Sequence, residues 1–430
     1  MKRINKLSII IFTIIILVGF YILYLDIRSM KKTIDPKQSK KETGYENSFN
    51  INLIKTVNKD YKDNYLISPY SIEIALNMLK DGANGTTEKQ IEKVIGSRTI
   101  PIFNVKERIS VSNAAFIREK YKELINKTYY EKLNNYSAEI VYDKFKTPDK
   151  INDWVKENTY GMIPQILDEI DEYFVLGLAN AVAIDVDWAS QFECINTKSD
   201  KFTKSDNTVV NVEMMNKKYT EEDIKYFENN DSKGIIIPYM SYDKNGNNKY
   251  ESEEKDFTEL EFVGILPNDS IDNYINSLSI NKLNSIEKNS IDTKKYDITV
   301  SLPRFSYNFN LDNFKNELIE MGITDVFNKE KSDLTDIVSQ ENIYKMDAER
   351  LYVSTAVHKT YIDLNEKGTK AAAVTYFGIE SYNSMEPEKK QKEIKFNKPF
   401  IYMIRDKKTK EMLFFGVVEE PNKWKGQTCK

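Results

Sequence analysis

Hydrophobic positions along the chain keep two different periods, and each stretch shows its element by the one it keeps. Phe49, Leu53, Ile54 and Val57 recur at helical spacing. Leu66 and Ile67 form a short strand that Ser68-Pro69 ends. A helix is expected from Ser71, with Ile72, Ala75, Leu76 and Leu79 inward and Gly82 closing it. Thr86-Thr87 is expected to cap the next helix. Val111 to Ile117 reads as a strand, followed by a polar helical stretch. INDWVKENTYGMI, residues 151–163, is an amphipathic helix with its stop at Gly161. FVLGLANAVAI, residues 174–184, is apolar at nearly every position, the pattern of a strand covered on both faces. Val209 to Met215, Gly234 to Tyr239, Leu260 to Leu266 and Tyr296 to Leu302 are further strands, and Phe314 to Met321 is helical. Glu349 to Leu364 alternates like one long strand, and Pro399 to Ile404 with Met412 to Val418 closes the chain as a hairpin-like pair. The mixture is α+β, without repeats or low-complexity tracts.

Composition narrows the function classes. Apolar residues make up 40% of the 430 and aromatics 12%, enough for a large core. The 62 basic and 66 acidic residues are well mixed, so no basic patch points to nucleic acid. Cys194 and Cys429 are the two cysteines; they make no disulfide framework and no CxxC metal site, and their pairing is open. There is no GxSxG, HExxH or GxGxxG, and His358 is the single histidine. Gly82 to Thr87 lacks the lysine and the glycine spacing of a phosphate loop and reads as helix punctuation. Asp243, Asn245 and Asn247 sit at an EF-hand-like spacing with Glu254 at the twelfth place. The sixth place holds Asn248 instead of glycine, so an Asn-Gly turn with an acidic arm is the better reading.

The first 28 residues read as a signal anchor. Lys2, Arg3 and Lys6 precede an uncharged run from Leu7 to Leu25, long enough to span a bilayer. A cleaved signal peptide is the alternative. Residues 29–48 are a polar linker, 49–424 the folded domain and 425–430 a tail. Richness in Lys, Asn and Ile suggests an AT-rich bacterial genome, with the protein held on the outer face of the cell membrane or secreted.

The stretch NEKGTKAAAVTYFGIES, residues 365–381, places helix formers beside strand formers with no stop between them. Read with period two, Thr369, Ala371, Ala373, Thr375, Phe377 and Ile379 form an uncharged face, small at first and larger later. Lys370, Ala372, Val374, Tyr376, Gly378 and Glu380 form the other. No proline intervenes before Pro387, so every amide can join a ladder, and Gly368 offers a hinge. Periodicity alone leaves two readings equally open, a strand with one face buried in a core and an ordinary edge strand or surface helix.

This stretch resembles the proximal hinge of the serpins, the serine-protease-inhibitor family, through Glu366, Gly368, Thr369, Ala371, Ala372, Ala373 and Thr375. LISPYSIEIALNMLKDGANGTTEKQI, INDWVKENTYGMI, LANAVAIDVDWASQF, VSLPRFS, MGITDVF, DLTDI and LYVSTAVHKTYIDLNEKGT follow the family's order. So does FNKPFIYMIRDKKTKEMLFFGVVEEP, through Phe396, Pro399, Phe400, Phe415, Gly416 and Pro421. The resemblance spans about residues 48 to 424. It implies the serpin fold, with three β-sheets, eight or nine helices and an exposed reactive-centre loop. It also implies a monomeric suicide substrate with no catalytic group and no cofactor. A protease, chymotrypsin-like or subtilisin-like or a cysteine protease, cuts the loop, and the loop then inserts into the central sheet and traps the acyl-enzyme. The family's spacing puts the reactive bond at Tyr382-Asn383, sixteen residues after Glu366. The loop is longer than usual after Tyr382 because of EPEKKQKE, which leaves Ser381 and Met385 as alternatives. Ser68, Ser71, Asn180 and His358 match the polar cluster where the sheet parts, and Trp188 matches the breach at its top. A non-inhibitory serpin acting as a binding or chaperone-like protein is the other reading.

Overall fold

The longest apolar runs pair with one another. Leu260–Pro267, Phe400–Asp406 and Met412–Val418 are buried at every position, as strands covered on both faces must be. They lie inside an antiparallel seven-stranded sheet in the order Tyr65–Ile67, Met412–Val418, Phe400–Asp406, Leu260–Pro267, Ser232–Pro238, Lys225–Glu228, Ser290–Asp292. Phe262, Ile401, Tyr402 and Phe415 carry its core. The final two strands form the expected hairpin-like pair.

The computed structural model describes residues 48–311, 314–346, 348–369 and 389–421. All of them lie in one unit, Gly44–Lys430. Leu7 to Leu25, residues 370–388 and the tail from 422 lie outside the described residues. Among the described residues no helix is long and apolar enough to cross a membrane. Nine α-helices occur among them.

The described residues form four sheets where three were expected. One four-stranded sheet runs Lys390–Lys395, Tyr296–Pro303, Val209–Tyr219, Lys198–Thr203. Another runs Phe305–Asn310, Lys359–Leu364, Gly368–Thr369, Val186–Asp187, and a three-stranded one Glu139–Asp143, Ile109–Arg118, Leu176–Ile184. The count rises because the last two adjoin. Leu176–Ile184 passes through Asp185 into Val186–Asp187, so together they are one sheet split down its middle.

Local chemistry accounts for several shifted boundaries. The helix Pro69–Lys80 begins before Ser71: Pro69 sits in the first turn, and Ser68 is the cap whose side chain accepts from Ser71 N–H. The next helix, Gly85–Ile95, is capped by Asn84; Thr87 lies inside it, buried, and its Oγ1 accepts from Asp333 N–H. The helix Asp149–Asn158 ends before Gly161, where Tyr160 and Gly161 turn left-handed. The long strand expected from Glu349 shortens to Lys359–Leu364, because residues 351–358 find no ladder partner. Leu176–Ile184 is only half-buried along its first five residues, since one of its edges is unpaired.

Candidate functional site

Trp188 anchors the top of the split sheet. Its ring is fully buried, stacks on Tyr239 at 4.5 Å and 6°, and meets Phe192 and Phe262 edge-on. From this platform the hinge is held through its main-chain carbonyls. Trp188 N–H donates to Lys367 O at 2.7 Å, Trp188 Nε1 to Asn365 O at 2.9 Å and Phe192 N–H to Glu366 O at 2.9 Å. Glu366, buried, accepts from Arg304 Nε at 2.6 Å and from Thr197 Oγ1. Arg304 is buried as well, so this ion pair lies out of water.

Gly368 and Thr369 sit between the two halves of the sheet. Leu364 pairs with Thr369, and on the other side Gly368 pairs with Asp187 and Thr369 with Val186, all antiparallel. Thr369 is buried and its Oγ1 lies 2.7 Å from the Tyr239 hydroxyl. A Cβ at Gly368 would meet Val186 O at 2.1 Å and Asp187 Cα at 2.8 Å, both backbone that cannot move aside cheaply. Gly368→Val is therefore expected to push the hinge out from between the strands. Amide exchange of residues 366–369 should rise at least ~10-fold, the factor that about 1.4 kcal/mol buys; unchanged protection refutes the contact.

Below this point the strands stay apart. Lys359–Leu364 and Leu176–Ile184 share no ladder among the described residues. Between them lies a cavity lined by Val182, Ala183 and Ile184 on one side and Tyr361, Ile362 and Asp363 on the other, with Thr369 at its upper end. Leu66, Ile404 and Phe414 line it as well. The two facing edges bound this cavity as a slot.

The polar cluster assembles in part. Ser68 N–H donates to His358 Nε2 at 3.0 Å, so the imidazole proton sits on Nδ1. Ser68 Oγ donates to Leu413 O at 2.6 Å and accepts from Ser71 N–H at 3.1 Å. Thr360 Oγ1 reaches Leu66 O close by. Asn180 is not with them. Its amide donates to Asn113 Oδ1 at 2.7 Å across the strand pair in which the two residues face each other, and Asn113 continues to Tyr136 O. Asn180 Oδ1 is buried with no partner among the described residues.

Burial pushes the His358 imidazole down to about 4, so it is neutral in the fold. The unfolded chain binds a proton below its ordinary value of 6.5, while the folded chain does so only near 4. Stability is thus complete above pH 6.5 and falls as pH drops toward 4, by ~3 kcal/mol in all. Urea unfolding at pH 7 and pH 4.5 should show this loss, and His358→Asn should flatten it; equal slopes in the two proteins refute the assignment.

Ala371, Ala372, Ala373, Thr375, Ser381, Tyr382, Asn383 and Met385 lie outside the described residues. The Asp243 loop is a turn. Asp243 Oδ1 accepts from Asn245 and Asn247 N–H, and Oδ2 from Ser252 Oγ, around a left-handed Gly246. Among the described residues no carboxylate, histidine and cysteine group could hold a metal ion. Arg304, Thr197, Tyr239 and Asn113 are the site residues that sequence reading missed. Arg304 left a signal, a charged residue between Pro303 and Phe305 at the junction of two strands.

A family profile described as "Serpin (serine protease inhibitor)" matches residues 45–421. Leukocyte elastase inhibitor of Xenopus tropicalis is 27% identical over 87% of this chain and 97% of its own length. Human neuroserpin is 26% identical over 86% of this chain and 88% of its own. The thermophilic serpin tengpin in its native state superposes with a TM-score of 0.70 at 31% identity, covering 86% of this chain and 92% of that one.

Proposed function

This chain belongs to the serpin family, and we propose that it is an inhibitory member, a suicide substrate whose cut loop inserts into the slot and traps a protease as its acyl-enzyme. The observation that carries this is register. Thr369 already stands opposite Leu364 and Val186. Carried downward in the same antiparallel register, Ala371 faces Ile362 and Ile184, Ala373 faces Thr360 and Val182, and Thr375 faces His358 and Asn180. Thr360, Ile362 and Leu364 are the buried positions of their strand. The small, uncharged face of the loop therefore lands on the core side, and the charged face on the solvent side. Thr375 arrives where Asn180 Oδ1 has no partner.

Phe377 and Ile379 follow opposite Leu178 and Leu176, which pack against the main core. Burying these two side chains contributes ~5 kcal/mol, and the new ladder adds main-chain hydrogen bonds. Loop insertion in serpins is itself a known instance of strand addition to a sheet. The protease supplies the chemistry, and the inhibitor supplies the fall in free energy that moves it. Leukocyte elastase inhibitor, among the relatives, is named for the same kind of target.

The reactive bond is read as Tyr382-Asn383, which suits proteases that accept an aromatic residue, and the uncharged run from Leu7 to Leu25 is read as an anchor on the outer face of a membrane. Mixing the protein with chymotrypsin-like and subtilisin-like proteases should give an SDS-stable band above either component. Mass spectrometry of the released fragment should place the cut after Tyr382. Cleavage without any stable band would make the protein a non-inhibitory serpin.

A further inference from the structure

The connection between Ser232–Pro238 and Leu260–Pro267 is far longer than their pairing requires. The two strands keep antiparallel register up to Pro238 opposite Glu261, and Tyr239 N–H still donates to Leu260 O at 3.0 Å. A tight turn of two residues could close such a pair. Instead residues 240–259 leave that ladder, and excursions of such length in compact domains are mostly functional. This one folds on itself. Tyr242 and Thr258 exchange both main-chain bonds, at 3.2 and 2.9 Å, and Lys249 N–H donates to Ser241 O at 3.0 Å. Tyr242 and Asp243 are buried.

The folded excursion is seated on the strand that receives the hinge. Successive residues of an antiparallel strand bond toward opposite edges. Trp188 N–H bonds toward the hinge, to Lys367 O. Asp187 faces the other way. Its C=O accepts from Met240 N–H at 2.8 Å, its N–H donates to the Tyr242 hydroxyl at 3.3 Å, and that hydroxyl donates to Asp187 Oδ2 at 2.9 Å. Arg108 lies over the Tyr242 ring, 4.9 Å from its centre, with Nη1 3.6 Å from Asp187 Oδ2. Ile109–Arg118 pairs with this edge only as far as Ile184, with one further bond from Asp185 N–H to Arg108 O. The excursion takes over where that strand stops. A second seat lies at Lys106, whose N–H donates to Lys244 O at 3.2 Å. There the left-handed Gly246 comes so close that a Cβ would meet Lys106 O at 2.3 Å.

We infer that residues 240–258 are a brace for the hinge: through the Tyr242 hydroxyl they fix Asp187 from behind, so that the strand's other edge stands ready for Gly368 and Thr369. Tyr242 acts through Asp187 and is a positioning residue. Gly368 stands opposite Asp187 and Thr369 opposite Val186, the first rungs at the top of the slot. Without the brace these rungs fray, and a cut loop begins its entry later. That last step rests on the proposed function; the brace itself does not.

Amide exchange of the full chain tests the brace without a protease. Tyr242→Phe keeps the buried ring and removes the hydroxyl. Exchange at Asp187 and over residues 366–369 should rise ~10-fold, the effect of one or two lost hydrogen bonds. Leu260–Pro267 and Phe400–Asp406 should keep their protection. Replacing residues 241–258 by Asn-Gly should give at least the same rise. Tyr250→Ala, exposed on the same excursion, should give none. With a protease that the parent traps, Tyr242→Phe should engage at the parent's rate and release at least ~2-fold more cut chain per trapped complex, the mark of slower insertion rather than weaker docking. Unchanged exchange over 366–369 in both Tyr242→Phe and the shortened chain, or an equal rise in Tyr250→Ala, overturns the brace. An unchanged share of cut chain overturns its bearing on insertion. A parent that traps no protease overturns the proposed function and leaves the exchange result standing.

Discussion

Thr369→Arg is expected to cut protease trapping at least ~100-fold and to leave a protein that is cut and released. Thr369 is buried between Leu364 and Val186, with its hydroxyl on Tyr239. An arginine there either carries an unpaired charge into the sheet, at ~3–5 kcal/mol, or keeps the hinge out. Either way insertion starts late, and the acyl-enzyme hydrolyses before the protease is displaced. Trapping should fall by about two orders of magnitude, since each 1.4 kcal/mol is tenfold. The SDS-stable band should vanish while the cleaved chain accumulates. Thr369→Ser keeps both size and hydroxyl and should trap as well as the parent. An undiminished band with the arginine variant refutes the insertion path.

Glu366→Ala is expected to destabilise the intact protein by ~3–5 kcal/mol, because it breaks a buried ion pair with Arg304 and takes the acceptor away from Thr197 Oγ1. The cost comes from breaking the buried pair from one side only. The double variant Arg304→Met with Glu366→Leu should accordingly recover most of the loss, as buried ion pairs replaced by apolar residues commonly do. Urea midpoints of the four proteins form the cycle. A single variant that unfolds like the parent, or a double variant no better than the single, contradicts this reading of the pair.

Much of the fold was legible because apolar periodicity is local. The strands Leu260–Pro267, Phe400–Asp406 and Met412–Val418 follow their runs closely. The helix starts were less legible, since Ser68 and Asn84 compete with neighbouring hydroxyl residues that could also cap. Partners across sequence could not be read at all. Arg304 and Glu366 lie 62 positions apart, and nothing local tells one that the other waits. Asn180 shows the same limit. Its residue type suits the polar cluster, but the ladder register sets it against Asn113. The slot itself is invisible in sequence, because an edge that waits for a strand and an edge already paired have the same alternation.

On the proposed mechanism the intact chain is held short of its most stable form by an empty strand position. Thermal unfolding of the intact protein beside the same protein cut once in its reactive loop measures this directly. Phe377 and Ile379 alone, at ~5 kcal/mol, predict a rise of roughly 6 °C in the cut protein, and the added ladder raises it further. A cut protein that melts at or below the intact one contradicts the claim.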